Sequence, residues 1–354
     1  MSEATLIDVL PAHRFDQQKL ADWLKGRLPD VEQGLQIKQF QGGQSNPTFL
    51  LQIGEKRYVL RKKPPGKLLP SAHMVEREYQ VINALDGTGV PVPKARLLCE
   101  DPEIIGTNFY IMDHVEGRVH TQPLLTDVDP AQRTPIYRSM IETMAKLHNA
   151  DWKAIGLEGY GKPEGYVQRQ IKRWSGQFEA SRTGDMPAMD ALMAWLPANA
   201  PSEDFTTIAH GDFRIGNLIL HPSEPRVVAI LDWELATLGH PLSDLAYCCL
   251  PYHLPSGVNG VKGMQGADLK GLQIPEEQQL LDWYCEFTGR DSIPDWNFFL
   301  AFSLFRLAAI LQGVYHRALQ GNASNADALE VGQRAGLLAQ RGWEIAQGNQ
   351  VPNP

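Results

Sequence analysis

The segment His210-Gly-Asp-Phe-Arg-Ile-Gly-Asn217, followed by Ile230-Leu-Asp-Trp-Glu234, decides the fold that this chain predicts. Asn217 lies five residues after Asp212, and Asp232 lies fifteen residues after Asn217. Carboxylate and carboxamide oxygens are ligands that magnesium prefers, and a carboxylate can also accept a proton. The spacing therefore predicts a site that combines metal binding with proton transfer.

A β-hairpin is predicted between the two segments. Residues 217–221 and 226–231 are apolar and favour β-structure, and Pro222-Ser-Glu-Pro225 between them favours a turn. A register in which paired residue numbers sum to about 449 places Asp232 beside Asn217 at the open end of the hairpin. We therefore expect these two side chains to meet.

The same spacing is typical of the catalytic loop of kinases. In that loop an Asp orients the acceptor hydroxyl and accepts its proton, while an Asn and a later Asp hold magnesium. Asp212, Asn217 and Asp232 are assigned these three roles. Each residue alone is also typical of a turn or a cap, but their combination around a hairpin favours phosphoryl transfer. His210 is expected to support the loop backbone rather than to exchange protons.

The composition favours a globular enzyme with more than one domain. The chain has 354 residues, of which 43% are hydrophobic and 21% are charged. Its formal net charge of -8 argues against a general nucleic-acid-binding protein, which usually carries a basic surface. The four cysteines lack C-x-x-C spacing and no secretion signal is visible, so a reduced, cytoplasmic protein is expected. Residues 298–314 are apolar, but Arg306 within them favours a buried helix and no membrane association.

The first third of the chain predicts a sheet that binds a nucleotide. A helix is expected over 16–28, strands over 35–41, 48–53, 57–62, 95–99 and 108–112, and a second helix over 72–85. Between the first two strands, Gly42, Gly43, Ser45 and Asn46 are assigned to phosphate binding, because small residues let backbone N–H groups approach phosphates. Such glycine pairs are also common in ordinary hairpin turns.

A buried ion pair is predicted between the sheet and the second helix. Glu78 falls on the apolar face of the helix over 72–85, where a carboxylate needs a partner. Arg61 is the candidate, at the place where kinases have a lysine that pairs with a helix glutamate and contacts phosphates. Lys62 and Lys63 are rivals, because a shift of one residue changes which side chain faces inward. The alternative is an ordinary salt bridge that ties the helix to the sheet.

The strand over 108–112 leads into a short polar segment that suits a hinge between two lobes. Exposed backbone there can meet an adenine edge, so nucleotide contacts are assigned to Met112, Asp113, His114 and Val115. Later helices are predicted over 136–149, 166–182, 188–196, 276–287, 296–319 and 326–346. We expect an α+β, two-lobed protein-kinase-like fold. Residues 1–113 would form an antiparallel-sheet nucleotide-binding lobe, and residues 114–354 a mainly helical catalytic and acceptor-binding lobe.

The chain resembles the aminoglycoside phosphotransferase-like branch of the protein-kinase-like fold over nearly its whole length. The resemblance rests on Gly42-Gly-Gln-Ser-Asn46, Tyr58-Val-Leu-Arg61, Glu76-Arg-Glu-Tyr79, Phe109-Tyr-Ile-Met-Asp-His-Val-Glu-Gly117, the two segments quoted first, and Gly239-His-Pro-Leu-Ser-Asp-Leu245. It implies ATP and magnesium as cofactors, and it implies that Asp244 opens a helix and supports the catalytic loop. Only eleven residues separate Asp232 from Asp244, too few for a peptide-docking segment, which favours a small hydroxylated acceptor.

The resemblance looks closest to bacterial proteins similar to the kinase-like domain that is fused to certain acyl-CoA dehydrogenases. Arg61-Lys-Lys-Pro-Pro-Gly-Lys67, Trp233-Glu-Leu-Ala-Thr-Leu-Gly-His-Pro241 and Arg306-Leu-Ala-Ala-Ile-Leu-Gln-Gly313 carry it. It implies phosphorylation of the hydroxyl of a 4-hydroxyacyl-CoA, with an acyl-CoA dehydrogenase as a separate partner. Arg169, Arg173 and Glu234 are assigned to acceptor binding. A solvated helix face is the alternative for the two arginines.

Three other functions stay open at this level. A kinase for an aminoglycoside, an amino alcohol or a sugar would keep the same catalytic residues and change only the acceptor pocket. A non-catalytic nucleotide-binding scaffold would be expected to have lost Asp212, Asn217 or Asp232. A metal-dependent hydrolase would need a second His cluster with metal-ligand spacing, and the sequence shows none.

Overall fold

The computed structural model describes residues 5–41, 46–65, 73–257, 262–320 and 328–348. Gly42, Gly43 and Ser45, which are assigned above to phosphate binding, lie outside these residues. By the density of its contacts the chain divides into two compact units. The first contains Met1–His120, Lys153–Tyr160 and Gly216–Ala236, and the second contains Thr121–Trp152, Gly161–Ile215 and Thr237–Pro354. The predicted domains, 1–113 and 114–354, are a different division and stay a prediction.

The strands and helices of the described residues follow in chain order. The strands are β1 (Leu6–Ile7), β2 (Leu35–Phe40), β3 (Thr48–Ile53), β4 (Lys56–Lys62), β5 (Ala95–Cys99), β6 (Phe109–Asp113), β7 (Thr207–Ala209), β8 (Leu218–Leu220), β9 (Val227–Ile230) and β10 (Thr237–Gly239). The helices are α1 (Gln17–Leu24), α2 (Val75–Leu85), α3 (Pro102–Ile105), α4 (Pro130–Asn149), α5 (Tyr166–Ser181), α6 (Pro187–Ala198), α7 (Pro241–Cys249), α8 (Glu277–Thr288), α9 (Trp296–Leu319), α10 (Ala328–Gly332) and α11 (Ala335–Ala346).

A six-stranded antiparallel sheet forms the centre of the first unit, with the strand order β1-β2-β3-β4-β6-β5. Side chains alternate along its strands, so that Phe49, Leu51 and Leu60 are fully buried on one face. Leu20 and Leu24 of α1 complete the same hydrophobic core. The predicted antiparallel sheet in the N-terminal part of the chain is confirmed.

Helix α2 packs against β5, β6 and the short 3-10 helix Trp233–Leu235. Its buried side chains form one stripe, as the helical period predicts. Glu78 is part of that stripe, between Val75 and Ile82, and only 1% of Glu78 is exposed. The helix therefore places a carboxylate inside the first unit.

The hairpin of β8 and β9 belongs to the first unit, and its register differs from the predicted one. The N–H of Leu231 donates to the carbonyl oxygen of Asn217 at 2.8 Å, so Leu231 lies opposite Asn217. Asp232 follows one residue later and does not pair directly with Asn217. The difference arises at the turn, where Leu220 pairs with Val227, and the bulge between Ile219 and Leu220 recovers only part of the shift.

Backbone hydrogen bonds tie this hairpin to the segment that follows β6. Arg118 and Leu220 each donate an N–H to the other's carbonyl oxygen, both at 2.8 Å. The Arg118 side chain also donates from Nε to the carbonyl of His221 and from Nη2 to that of Glu224, at 3.0 and 2.9 Å. A Cβ on Gly117 would overlap the carbonyl oxygen of Leu220, so only glycine permits this approach.

Helix α9 is the centre of the second unit and packs against α5, α7, α10 and α11. Most of its side chains are buried, among them Phe299, Phe302 and Phe305. Among the described helices it alone is long and apolar enough to cross a membrane, by length and composition only. Of its most apolar window, 72% is buried inside the structure, as expected of the core helix that the sequence predicts.

Several helices differ from their predicted bounds, and for α4 and the last predicted helix the reasons are local. Helix α4 begins at Pro130 rather than at residue 136, because the Asp129 carboxylate accepts from the N–H of Ala131 and proline suits a first helical position. The last predicted helix is divided into α10 and α11. Gly332 ends α10 against Tyr315, where a Cβ would overlap the backbone. Strands β7 and β10, which pair with each other, are three residues each and were not predicted.

Replacing Gly117 tests the close approach of backbone to hairpin. We expect Gly117→Ala to lower the free energy of unfolding by about 1–3 kcal/mol, because the methyl group must displace the Leu220 carbonyl. Gly176→Ala is the matched control, since Gly176 lies within α5 with open space around it, and alanine there should stabilise by about 0.5–1 kcal/mol. Urea denaturation of both variants measures the difference. Equal free energies of unfolding for Gly117→Ala and Gly176→Ala would contradict the overlap at Gly117.

Candidate active site

A buried carboxylate holds the backbone of the loop that begins at His210. Asp244, in the first turn of α7, is 1% exposed and accepts the N–H groups of His210 and Gly211 at 2.6 and 2.8 Å. His148 Nε2 lies 3.3 Å from the same carboxylate. Burial works to raise the pKa of Asp244, but these hydrogen bonds and the imidazole outweigh it and leave the pKa below its ordinary value. Asp244 therefore stays charged and fixes the loop.

The opposite side of the same peptide is held by a buried arginine. Arg306 of α9 donates from Nη2 to the carbonyl oxygen of Gly211 at 2.6 Å, and only 6% of Arg306 is exposed. Gly211 has φ +84°, a left-handed conformation that glycine adopts without strain. In the sequence, Arg306 was interpreted as an interruption of an apolar run and as the start of a segment of family resemblance, and its support of the loop was not predicted. An arginine at the centre of an otherwise apolar helix is the signal that could have identified it as a loop support.

Asp212 is presented at the end of this fixed loop. Its N–H donates to Nδ1 of His210 at 3.2 Å, so the buried His210 ring holds the loop backbone. Nε of Arg214 donates to both carboxylate oxygens of Asp212 at 3.2 Å. Burial and the hydrogen bond that the Tyr247 hydroxyl makes with Asp212 raise the pKa of Tyr247, which keeps this hydroxyl protonated as a donor. The side chain of Asp212 is 19% exposed, so the carboxylate is partly accessible.

Asp232 lies at the end of β9 in the first unit and has an unusual backbone. Its φ is +66°, in the left-handed region where a non-glycine residue is uncommon and which is found at functional sites. One-third of its side chain is exposed. Asn217, which immediately precedes β8, is 5% exposed. One carboxylate and one carboxamide are a donor set that fits magnesium, which takes its remaining ligands from phosphates and water. The assignment of these residues as metal ligands stays a prediction.

Arg61 is the cation that faces inward from β4. Its Nε lies 2.9 Å from Oε2 of Glu78, and its Nη2 donates to Oδ1 of Asp232 at 2.7 Å. Glu234 lies farther away, with Oε2 at 3.8 Å from Nη2. Burial works to lower the pKa of Arg61, but the charges of Glu78, Asp232 and Glu234 raise it well above its ordinary value. The structure thus brings Arg61 and Glu78, which were assigned to nucleotide binding, together with Asp232, assigned to metal binding, and Glu234, assigned to acceptor binding.

The two lysine rivals of Arg61 face elsewhere. Lys62 is on the opposite face of the strand, with Nζ 5.5 Å from the centre of the Phe15 ring. Burial lowers its pKa. Nζ of Lys63 pairs with Oε1 of Glu76 at 2.5 Å. Alternation along β4 excludes Lys62, and Lys63, which follows the end of β4, pairs with Glu76, so Arg61 is the partner of the buried carboxylate.

Glu78 connects Arg61 to the end of the glycine-containing segment. Its carboxylate accepts from Nδ2 of Asn46 at 2.7 Å and from the hydroxyl of Tyr110 at 3.1 Å. Burial raises the pKa of Glu78, and Arg61 with the two hydrogen bonds opposes the rise. Asn46 is 1% exposed, so its side chain is held against Glu78. The predicted contact of Asn46 with a nucleotide stays a prediction.

The segment predicted as a hinge is partly bonded within the first unit. The N–H of Asp113 donates to the Lys94 carbonyl at 2.9 Å, and the N–H of His114 donates to the Arg57 carbonyl at 3.2 Å. The Asp113 carboxylate also pairs with Arg96. Met112 is 7% exposed, and burial lowers the pKa of His114. Nucleotide contacts of residues Met112 to Val115 stay a prediction.

The three residues assigned to acceptor binding lie in different units, and their assignment stays a prediction. Arg169 donates from Nη2 to the Lys162 carbonyl at 2.7 Å, and the Arg173 guanidinium lies 5.1 Å from the Trp174 ring. Both are on α5 in the second unit, whereas Glu234 is in the first unit beside Arg61. These local contacts suit the alternative of a helix surface for the two arginines at least as well as a ligand site.

Comparisons with known proteins give a consistent result. The model of the family described as phosphotransferase enzyme family matches residues 36–283. A solved protein from Ralstonia eutropha, provisionally named an aminoglycoside phosphotransferase, is 47% identical, with TM-score 0.87 over 96% of this chain and 100% of that one. Choline kinase from Cryptosporidium parvum is 13% identical, with TM-score 0.65 over 94% of this chain and 98% of that one, which shows a shared fold.

Among curated proteins, the chain is similar to part of two larger ones. Human acyl-CoA dehydrogenase family member 11 is 45% identical over 98% of this chain and 45% of its own length. Mouse acyl-CoA dehydrogenase family member 10 is 44% identical over 93% of this chain and 31% of its own length. The chain thus spans less than half the length of these relatives.

Replacing Asp244 tests its support of the loop. We expect Asp244→Asn to lower the free energy of unfolding at neutral pH by about 1–3 kcal/mol, because an amide leaves one loop N–H without an acceptor. The folded pKa of Asp244 lies below its ordinary value of 3.8, so its stabilisation is present above that value and is lost as the pH falls through the folded pKa. The difference in the free energy of unfolding between the variant and the parent, measured by urea denaturation, should therefore become smaller as the pH falls. A difference that does not change with pH would contradict the role of Asp244 as an ionised acceptor of the loop N–H groups.

Proposed function

Because the chain belongs to the phosphotransferase enzyme family, we propose that it transfers the γ-phosphoryl group of ATP to the hydroxyl group of a small molecule. The observation that carries the proposal is the Asp212 carboxylate, partly exposed on a loop whose backbone is fixed by Asp244 and Arg306. A general base must be held in place while its oxygen atoms stay accessible. Both conditions are met by the described contacts.

In the proposed reaction Asp212 orients the acceptor hydroxyl and accepts its proton. A bond forms between the acceptor oxygen and the γ-phosphorus, the bond from that phosphorus to the leaving oxygen of ADP breaks, and ADP departs. Asn217 and Asp232 are the residues that would hold magnesium, which supplies charge neutralisation of the phosphates when bound. The protein forms no covalent intermediate, so positioning and electrostatics supply most of the rate.

Arg61 is proposed to contact the nucleotide phosphates, with Glu78 as its positioning residue. Arginine offers a planar fork of N–H donors that matches phosphate oxygens better than the point charge of lysine does. The carboxylate of Glu78 lies beside Nε, so a nucleotide phosphate would be bound by the terminal nitrogens, of which Nη2 donates to Asp232 in this structure. In this arrangement, loss of Glu78 weakens phosphate binding through Arg61.

The acceptor is proposed to be a 4-hydroxyacyl-CoA. Support comes from the curated relatives named acyl-CoA dehydrogenase family members, at 44–45% identity over nearly the whole chain. An acyl-CoA dehydrogenase is accordingly proposed as a partner that acts on the same class of thioester. The second candidate is an aminoglycoside acceptor, which the provisional name of the 47% identical solved protein favours.

A substrate panel tests the acceptor. We expect ATP consumption with a 4-hydroxyacyl-CoA, and none with free hydroxy acids, amino alcohols or aminoglycosides. The matched control is the acyl-CoA of equal chain length without the hydroxyl group, because it keeps every other contact. Release of ADP and phosphorus NMR of the product provide the measurement. If no CoA thioester leads to ATP consumption and an aminoglycoside does, the second candidate is the acceptor. Nucleotide binding without any phosphoryl transfer would indicate a scaffold.

Two substitutions separate the proposed roles of the carboxylates. Asp212→Asn should lower kcat by about 10²–10⁴-fold and leave nucleotide affinity unchanged, because only the proton acceptor is lost. Asp232→Ala should remove the magnesium-dependent part of nucleotide binding. Asp8→Asn, at an exposed carboxylate that pairs with Lys38, is the control and should behave as the parent does. Near-normal turnover of Asp212→Asn would show that another group accepts the proton.

A further inference from the structure

A cavity of ≈ 480 Å³ lies within the second unit. It is lined by the C-terminal ends of α4 and α8, by residues 203–207, which lead into β7, and by residues 289–294, which follow α8. None of its described lining residues is among those assigned above to the proposed reaction. The volume is typical of pockets that hold small organic molecules.

Arg290 is a cation of the cavity wall and is held in a fixed position. Its guanidinium lies 4.7 Å from the centre of the Phe205 ring, and its backbone N–H donates to the carbonyl of Cys285 at 3.1 Å. Gly289, with φ +69°, ends α8 and turns the chain toward Arg290. Among the described residues, no hydrogen bond or ion pair engages the Arg290 guanidinium. A preorganised fork of N–H donors therefore remains for a ligand.

Thr207 supplies a buried hydroxyl in the same cavity. Its backbone is fixed because Thr207 pairs with Gly239 where β7 meets β10. Its Oγ1 is buried and has no hydrogen-bond partner among the described residues. A buried hydroxyl without a partner costs free energy. A polar ligand atom in the cavity would remove that cost.

The charges and the apolar surface of the cavity select its ligand. The planar fork of Arg290 matches the two oxygen atoms of a carboxylate. Glu203 and Asp291 also line the cavity, and their charges oppose a second negative charge on the ligand. Both are exposed and therefore screened by solvent, whereas Arg290 is half-buried. With Phe205 and Pro294 as apolar lining residues, the cavity favours an organic anion with one charge and an apolar body.

The most deeply buried lining residues connect the cavity with the catalytic loop. The hydroxyl of Tyr284, which is fully buried, donates to Nδ1 of His148 at 2.7 Å. Burial raises the pKa of Tyr284, so the hydroxyl keeps this proton. The proton of a neutral His148 ring is then on Nε2, which lies 3.3 Å from the Asp244 carboxylate. Asp244 in turn holds the loop N–H groups of His210 and Gly211.

We propose that this cavity binds a small organic carboxylate, and that the bound ligand stabilises the catalytic loop through His148 and Asp244. The carboxylate of the ligand pairs with the fork of Arg290, and its apolar body packs against Phe205. A ligand beside the imidazole restricts the motion of His148, and hence of the carboxylate that holds the loop. The inference does not depend on the proposed function, because binding and loop motion are measured without turnover.

Calorimetric titration of the full chain tests the binding site. The probes are the carboxylates benzoate, hexanoate and lactate, with benzylamine as a cation of similar shape to benzoate. We expect benzoate and hexanoate to bind more tightly than lactate, because only they have an apolar body, and benzylamine not to bind. Arg290→Gln should weaken carboxylate binding by about tenfold or more, because a charge-assisted contact is lost. No binding of any of the three carboxylates, or tighter binding of benzylamine, would overturn the site.

Two further variants separate the fork from general effects of charge. Arg290→Lys keeps the charge without the fork and should retain part of the affinity for benzoate. Arg138→Gln is the matched control, because the Arg138 guanidinium also lies over a phenyl ring, 5.1 Å from that of Phe287, but does not belong to the described lining residues. It should bind benzoate as the parent does. Equal affinities of Arg290→Gln and Arg138→Gln for benzoate would overturn the role of Arg290.

Hydrogen exchange measured by mass spectrometry tests the connection with the loop. Saturating benzoate should slow the exchange of the His210 and Gly211 amide hydrogens, which Asp244 accepts. Tyr284→Phe keeps the buried ring and removes the hydroxyl that holds His148, so bound benzoate should slow the exchange less in this variant. Unchanged exchange in the parent with bound benzoate, or an equal change in Tyr284→Phe, would overturn the connection and leave the binding site.

Discussion

The interaction on which the catalytic loop depends is the bond between one buried carboxylate and two backbone N–H groups. Asp244 is almost fully buried, and a buried charge is tolerated only when hydrogen bonds replace its hydration. His210 and Gly211 supply these bonds from the loop, and His148 adds a third from α4. The carboxylate stays ionised because the loop has the conformation that solvates it. The loop has that conformation because the carboxylate is there.

In the first unit, Glu78 is also a buried carboxylate whose neighbours replace its hydration. Glu78 is equally buried, and Arg61, Asn46 and Tyr110 solvate it. The carboxylate of Glu78 contacts both Arg61 and Asn46. A change in the position of either residue therefore affects the other through this carboxylate. Arg61 in turn reaches Asp232. A single charge inside the unit therefore positions most of the residues that are proposed to bind phosphates and metal.

The strands and helices of the first third were predictable because their periodicity is strong and their connections are short. The hairpin was predictable as an element, but its register was not. The pairing of Leu220 with Val227 at the turn and the bulge beside it have no sequence signal of their own, and together they place Leu231 opposite Asn217, where Asp232 was predicted. The short strands β7 and β10 were missed for a related reason. Three residues are too few to show a period, and only their pairing with each other identifies them.

The sequence by itself determined the identity of the candidate catalytic residues, because Asp212, Asn217 and Asp232 are linked by short segments whose spacing is visible in one dimension. It also indicated that Glu78 needs a cationic partner, since helical periodicity shows which residues are buried. Only the tertiary structure decided that this partner is Arg61 rather than Lys62 or Lys63, and that Arg306 supports the loop from ninety-five residues away. Contacts of that kind depend on strand alternation and on packing between distant segments, and neither leaves a pattern in the order of residues along the chain.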